Sequence, residues 1–227
     1  NGIIVSLFDK SHNSLDNLKN DYPELDSSLV FDDINKFISS ISKPRKVLVL
    51  VPSGPALDEV ISLLIQYLDS NDILIDGGNT NPNVSFENHQ TIKSKNLLYL
   101  GMGVSGGVKG VLEGPSIMIG GDTNAFDQVK NIFTQITSKT INGSKSFEFF
   151  GDSNQGHFVK MIHNGIEYVE MQLISSIYYL MINSKKYSYE DVAKIFNKWN
   201  DIDLNSYLLE ISLLKLTEKT DDSYLLD

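Results

Sequence analysis

A doubly wound α/β domain running into helices is the fold this sequence predicts, and three observations carry it. From residue 3 to residue 150, short apolar runs alternate with amphipathic stretches of helical period, as in a mostly parallel sheet covered on both faces. The runs end in small or polar residues, at the strand ends where such sheets place their ligand loops. Beyond Gly151 the strands stop, and from Gln155 to about Ile182 only Gly165 interrupts a helical period.

The elements follow in order. Ile3 to Phe8 reads as a buried-type strand, and short helices are predicted over residues 14–20 and 34–41. Lys46 to Val51 is the next strand. Pro52, Gly54 and Pro55 break it, and Pro55 suits a helical first turn. Leu57, Val60, Ile61, Leu64 and Leu68 then form an apolar stripe. Strands are expected at 72–76, 97–100, 116–119 and 146–150, with helices at 84–95 and 124–136. Gly101 to Gly107 reads as a glycine-rich loop. Ser188 with Asp191 resembles a capping box opening a helix through Lys198, and a further helix is expected over 204–216. The expected domains are therefore a Rossmann-like dinucleotide-binding domain at 1–153 and the start of an all-helical domain at 154–227.

Composition narrows the function. The 227 residues are 41% hydrophobic and carry a net charge of −10, which argues against nucleic acid as a partner. No apolar run has the length of a membrane span. Without cysteine there is neither a disulfide framework nor a thiolate metal site, which fits a reducing, cytoplasmic setting. Four histidines without suitably paired carboxylates argue against any metal site. His12 and His89 sit in polar segments and are expected to be solvated, His157 to make a polar contact at a helix start, and Trp199 to anchor helix packing.

Four stretches carry candidate chemistry. In a helix over Gly156–Gln172, Lys160, His163, Asn164 and Glu167 fall at i, i+3, i+4 and i+7 on one face, with Phe158, Val159, Ile162, Ile166 and Met171 on sides that can pack into protein. An amine, an imidazole, an amide and a carboxylate in line suit proton transfer on a small polar substrate, and equally describe a solvated helix face. Asp9, Lys10 and Ser11 follow a strand that would meet the adenosine ribose. The acid favours a free 2′-hydroxyl and the cation a 2′-phosphate, so the coenzyme choice stays divided between NAD and NADP. Gly77, Gly78 and Asn79 can bring backbone close to a ligand, or make a plain tight turn. Ser105, Gly106 and Gly107 offer a hydroxyl and successive N–H groups for an anion, or a flexible connection.

DGGN at Asp76–Asn79, GxGVSGG at Gly101–Gly107, GPS at Gly114–Ser116, KPRKVLVLV at Lys43–Val51, KWN at Lys198–Asn200 and GHFVKMIHNGIEYxxMQ at Gly156–Gln172 together resemble the 6-phosphogluconate dehydrogenases. The resemblance covers essentially the whole chain in order. It implies an NADP-dependent oxidative decarboxylation of 6-phosphogluconate to ribulose 5-phosphate in the pentose phosphate pathway, by a homodimer. Lys160 then matches the base on the substrate hydroxyl, and Glu167 the acid that protonates the enol. His163 and Asn164 match substrate-orienting groups, Tyr168 a phosphate ligand, and Ser105, Gly106 and Gly107 the substrate loop. Asn79 matches a residue touching both coenzyme and substrate, with Asp9, Lys10, Ser11, Val51 and Pro52 on the coenzyme side.

Two departures stand out. The family usually has Asn-Arg-Thr at Asp9-Lys10-Ser11, and a lysine where this chain has Pro52. The resemblance also implies a first strand and phosphate-binding turn ahead of Asn1, and most of the helical domain after Asp227. The competing readings are a related β-hydroxyacid dehydrogenase using NAD, against which Glu167-Tyr168 argues, and a non-catalytic dinucleotide-fold module, against which intact Lys160, Asn164 and Glu167 argue.

Overall fold

The computed structural model describes residues 2–140, 142–202, 204–220 and 223–224, without the side chains of residues 108, 109, 111, 219, 220, 223 and 224. The chain divides into two compact units, Asn1–Met161 and Ile162–Asp227.

The first unit opens with strand β1 (Leu7–Phe8), helix α1 (His12–Asp21), strand β2 (Val30–Phe31) and helix α2 (Ile34–Ser40). β1 and β2 pair parallel in a two-stranded sheet of their own. The strand expected from Ile3 is thus reduced to its last two residues. Ile4 and Val5 are exposed, because nothing among the described residues offers residues 3–6 a ladder partner.

The main sheet has five strands in sequence order: β3 (Lys46–Val49), β4 (Ile73–Asp76), β5 (Leu98–Ser105), β6 (Ser116–Gly121) and β7 (Phe147–Phe149). All neighbours are parallel except β5 and β6, which run antiparallel from Leu100↔Gly121 to Ser105↔Ser116. Helices α3 (Pro55–Leu64), α4 (Pro82–Lys93), α5 (Gly107–Glu113) and α6 (Thr123–Ile136) connect the strands, and Pro55 opens α3 as its sequence suggests. Alternation along β4 and β5 feeds two cores. Leu74 and Tyr99 face Leu57, Ile61 and Leu64 of α3 and Ile92 of α4. Ile73, Ile75, Leu100 and Met102 face Ala125, Val129 and Phe133 of α6. Helices therefore cover both faces, as in a Rossmann-like sheet.

Two boundaries shift. β3 stops at Val49, leaving Leu50 exposed at the strand end. The expected loop at Gly101–Gly107 is instead the outer half of β5 followed by the start of α5. Glycine there serves close packing rather than a turn: a methyl on Gly101 would lie 2.9 Å from both Ser85 Oγ and His157 Nδ1.

Helix α7 (Gln155–Asn183) carries the chain out of the first unit. In the second unit, α8 (Tyr189–Asn200) starts with the expected capping box: Ser188 Oγ accepts from Asp191 N–H, and Asp191 Oδ2 accepts from Ser188 N–H. α9 (Tyr207–Thr217) packs Leu209 and Leu216 against Val192, Ala193 and Phe196, with Trp199 stacked on Phe196 at 5.3 Å. A short hairpin, β8 (Lys219–Thr220) and β9 (Ser223–Tyr224), follows. Phe158, Ile162, Ile166 and Met171, expected to pack, are exposed. Among the described residues no helix is long and apolar enough to cross a membrane.

At the amino end of β3 and β4 a buried ion pair fastens the sheet. Arg45 Nη1 donates to Asp72 Oδ2 at 2.8 Å and to Asp69 Oδ2 at 2.6 Å, Arg45 Nε donates to the Ile38 carbonyl, and Asp72 is 1% exposed. These bonds hold the guanidinium above its ordinary pKa, through Asp69 first and then Asp72. Arg45→Met leaves the Asp72 charge buried and uncompensated. It is expected to cost roughly 3–5 kcal/mol of unfolding free energy in urea; a loss below about 1 kcal/mol would mean that the pair contributes no more than a surface bridge.

Candidate active site

The carboxyl ends of β3 and β4 open into a cleft of about 450 Å³ lined by Leu50, Val51, Pro52, Ser53, Gly77, Gly78 and Asn79. Three predicted residues, Val51, Pro52 and Asn79, are thereby brought together where an open parallel sheet binds its ligand. The turn after β4 is held by its own strand: Asp76 Oδ1 accepts the Gly78 N–H at 3.0 Å. A side chain at Gly78 would crowd the Val51 carbonyl oxygen at 3.2 Å and Asp76 Oδ1 at 3.3 Å, so glycine lets this turn lie close against Val51.

The predicted loop Asp9-Lys10-Ser11 does not line the cleft. Ser11 caps α1, accepting from Ser14 N–H, and Asp9 Oδ1 accepts from Ser11 N–H at 2.8 Å. Lys10 Nζ lies 3.8 Å from Glu59 Oε2, both well exposed. Ser105 ends β5, Gly106 turns with φ +129°, and Gly107 opens α5.

Lys160 is buried at 7% exposure. Its stem lies on Gly103 of β5, where a methyl would come within 2.8 Å of Lys160 Cγ. One turn earlier, Gly156 sits so close to the sheet that a methyl would reach 2.6 Å from Gly120 N and 2.7 Å from the Met118 oxygen. The start of α7 is thus seated on glycine from both sides. In the second unit, His163 Nδ1 lies 3.3 Å from Asn164 Oδ1 and 3.6 Å from Glu167 Oε2, all three half-buried, whereas Tyr168 is exposed.

The sequence reading missed a buried polar cluster beside this seat. Ser85 Oγ lies 2.8 Å from His157 Nδ1 and 3.0 Å from Tyr99 Oη, and Tyr99 O–H donates to Asp76 Oδ2 at 3.3 Å. His157 Nε2 faces the same carboxylate at 4.0 Å. Burial pushes the His157 pKa below its ordinary 6.5, outweighing Asp76 and the Gly78 and Asp76 backbone, so the ring is neutral. Burial, then Asp76, drives Tyr99 well above the usual phenol range. His89, expected in solvent, is 5% exposed, stacked on Tyr99 at 5.4 Å with Nε2 3.2 Å from Asp122 Oδ2. It lies on the inner face of α4, so the polar look of its neighbours misled. An aspartate closing an otherwise apolar strand, DILID, was the available signal for the cluster.

The profile of the NAD binding domain of 6-phosphogluconate dehydrogenase matches residues 1–144, and that of the 6-phosphogluconate dehydrogenase C-terminal domain matches residues 156–227. This chain belongs to the 6-phosphogluconate dehydrogenase family. It is 38% identical over 211 residues to the decarboxylating 6-phosphogluconate dehydrogenase of Staphylococcus epidermidis, covering 93% of this chain and 45% of that one. With the Staphylococcus aureus N315 enzyme it shares 39% over 226 residues, covering 96% and 47%. The chain therefore spans about half the length of the curated relatives it matches. The Plasmodium falciparum 6-phosphogluconate dehydrogenase, solved apo, with its cofactor NADP+ and with its substrate 6-phosphogluconate, superposes with a TM-score of 0.91 at 37% identity, over 100% of this chain and 49% of that one. A Mycobacterium tuberculosis 3-hydroxyisobutyrate dehydrogenase shares the fold at TM-score 0.71 and 18% identity, over 91% of this chain and 65% of that one.

The neutral His157 gives this 6-phosphogluconate dehydrogenase family member a measurable acid sensitivity. Well above pH 6.5 folded and unfolded chains both hold the ring neutral. As pH falls below 6.5 the unfolded chain binds a proton that the folded chain resists, so stability is lost downward from there. Urea unfolding between about pH 7 and pH 5 is expected to show a steeper loss for wild type than for His157→Gln; equal slopes would mean the ring protonates in place without cost.

Proposed function

We propose that this protein catalyses the NADP-dependent oxidative decarboxylation of 6-phosphogluconate to ribulose 5-phosphate, with residues 1–153 as the coenzyme domain and residues 154–227 opening the helical substrate domain. A cytoplasmic homodimer serving the pentose phosphate pathway is part of the same reading. The observation that supports it best is Lys160, buried against Gly103 on the strand that ends at Ser105. A lysine serves as a base near neutral pH only where its surroundings favour the neutral amine.

NADP, when bound along the Val51–Pro52 and Gly77–Asn79 cleft, supplies the hydride acceptor. Lys160 takes the proton of the substrate 3-hydroxyl as the C3 hydride departs. Its ammonium then returns a proton to the new carbonyl oxygen while the C1–C2 bond breaks and carbon dioxide leaves. Glu167, seven residues on, protonates the enol carbon left by that cleavage, C2 of the substrate and C1 of the product. His163 and Asn164 orient the substrate, Tyr168 and the Ser105–Gly107 segment hold it, and Asn79 touches substrate and coenzyme alike. Lys160→Met is expected to lower kcat by at least about 100-fold while NADP still binds, read by coenzyme fluorescence beside a turnover assay. Wild-type rates in that variant would remove Lys160 from the mechanism.

The 2′-phosphate is assigned to Lys10 and Ser11. Asp9 opposes it, and its tie to the Ser11 N–H turns part of its charge inward. The kcat/KM for NADP is expected to exceed that for NAD, and Lys10→Glu to lower the NADP value roughly tenfold or more. A wild-type preference for NAD would overturn this assignment.

A further inference from the structure

Three residues before Lys160, on the same face of α7, His157 rests on Gly101, and Lys160 rests on Gly103 of the same strand. A rotation or slide that moves one ring must move the other side chain. His157 is also the meeting point of three segments. Its Nδ1 is bonded to Ser85 on α4 at 2.8 Å, its Nε2 faces Asp76 at the end of β4, and Asp76 in turn holds the Gly78 N–H of the cleft turn. Asp76, 0% exposed, also accepts from Tyr99, which shares Ser85 with His157.

We propose that His157 is a positioning residue that couples the coenzyme-cleft turn at Gly77–Asn79 to the seat of Lys160 through the shared Asp76 carboxylate. The proposal deepens the function proposed above and rests on Lys160 being the base. An apolar side chain at position 157 would strip Ser85 of one partner and leave Asp76 facing hydrocarbon, a loss the buried site cannot repair with solvent. The first turn of α7 and the Gly78 turn would then loosen together.

The test uses the purified enzyme with His157→Leu, His157→Gln and Ser85→Ala. Kinetics in NADP and 6-phosphogluconate are read beside hydrogen exchange of residues 77–79 and 158–161. His157→Leu is expected to lower kcat per folded molecule roughly 100-fold, as displaced catalytic groups do, with faster exchange in both segments. His157→Gln, which keeps a polar partner for Ser85, is expected to recover most of the loss. Ser85→Ala, which leaves α7 untouched, is expected to raise exchange in both segments even if His157→Leu does not fold. Unchanged kcat with only a lowered unfolding midpoint, or faster exchange at 158–161 alone, would overturn the coupling. Absence of wild-type turnover would sink the function reading instead, and the paired exchange would still decide the coupling.

Discussion

Helix α7 meets the sheet where neither surface has a side chain to spare. Gly156 on the helix and Gly120 on β6 approach until each other's backbone nitrogen fills the place a methyl would take. Gly101 and Gly103 of β5 leave hollows for His157 and for the stem of Lys160. Close-packed interiors transmit displacement of this kind instead of absorbing it. That seating sets where the stem of Lys160 lies, with its Cβ and Cγ against Gly103.

Such a seat would be purely apolar but for the cluster around Asp76. Burying a carboxylate carries a desolvation cost that hydrogen bonds must offset. Asp76 meets it with the Gly78 N–H and the Tyr99 hydroxyl, and His157 stays neutral alongside. Tyr99 is also 0% exposed in the core that α3 and α4 share, so its hydroxyl lies at the boundary between hydrocarbon and cluster.

Periodicity made most of the fold legible. The apolar runs at Lys46, Ile73 and Ser116 became strands, and the capping residues Ser11 and Ser188 mark helix starts. Glycine was where reading failed, because sequence does not distinguish a glycine needed for a turn from one needed for close approach. Gly106 is the first kind, and Gly101 and Gly103, within the same motif, are the second. Burial of His89 and His157 was likewise hidden, since a histidine among polar neighbours in sequence can still face inward when a helix turns it toward an aspartate. The helix that carries Lys160 was legible by contrast, because its sustained helical period predicted α7, which runs Gln155–Asn183.

The two ends of the sheet handle buried charge differently, and the difference tracks their tasks. At the amino end, Asp72 accepts from Arg45 N–H, Arg45 Nη1 and Asp69 N–H, and opposite charges are in direct contact. At the carboxyl end, Asp76 accepts from the Gly78 N–H and the Tyr99 hydroxyl, His157 Nε2 stands off at 4.0 Å, and among the described residues neither His157 Nε2 nor the hydroxyl of Thr80 makes a hydrogen bond. A fully satisfied pair locks strands together and has little left to offer a ligand. A cluster with unspent hydrogen-bonding capacity beside a cleft can respond when one arrives. Polar groups held short of full satisfaction are expected where binding must do work, and stability must then come from elsewhere. In this chain Arg45, Asp72 and the two apolar cores supply it, which leaves the β4 end free to serve the cleft.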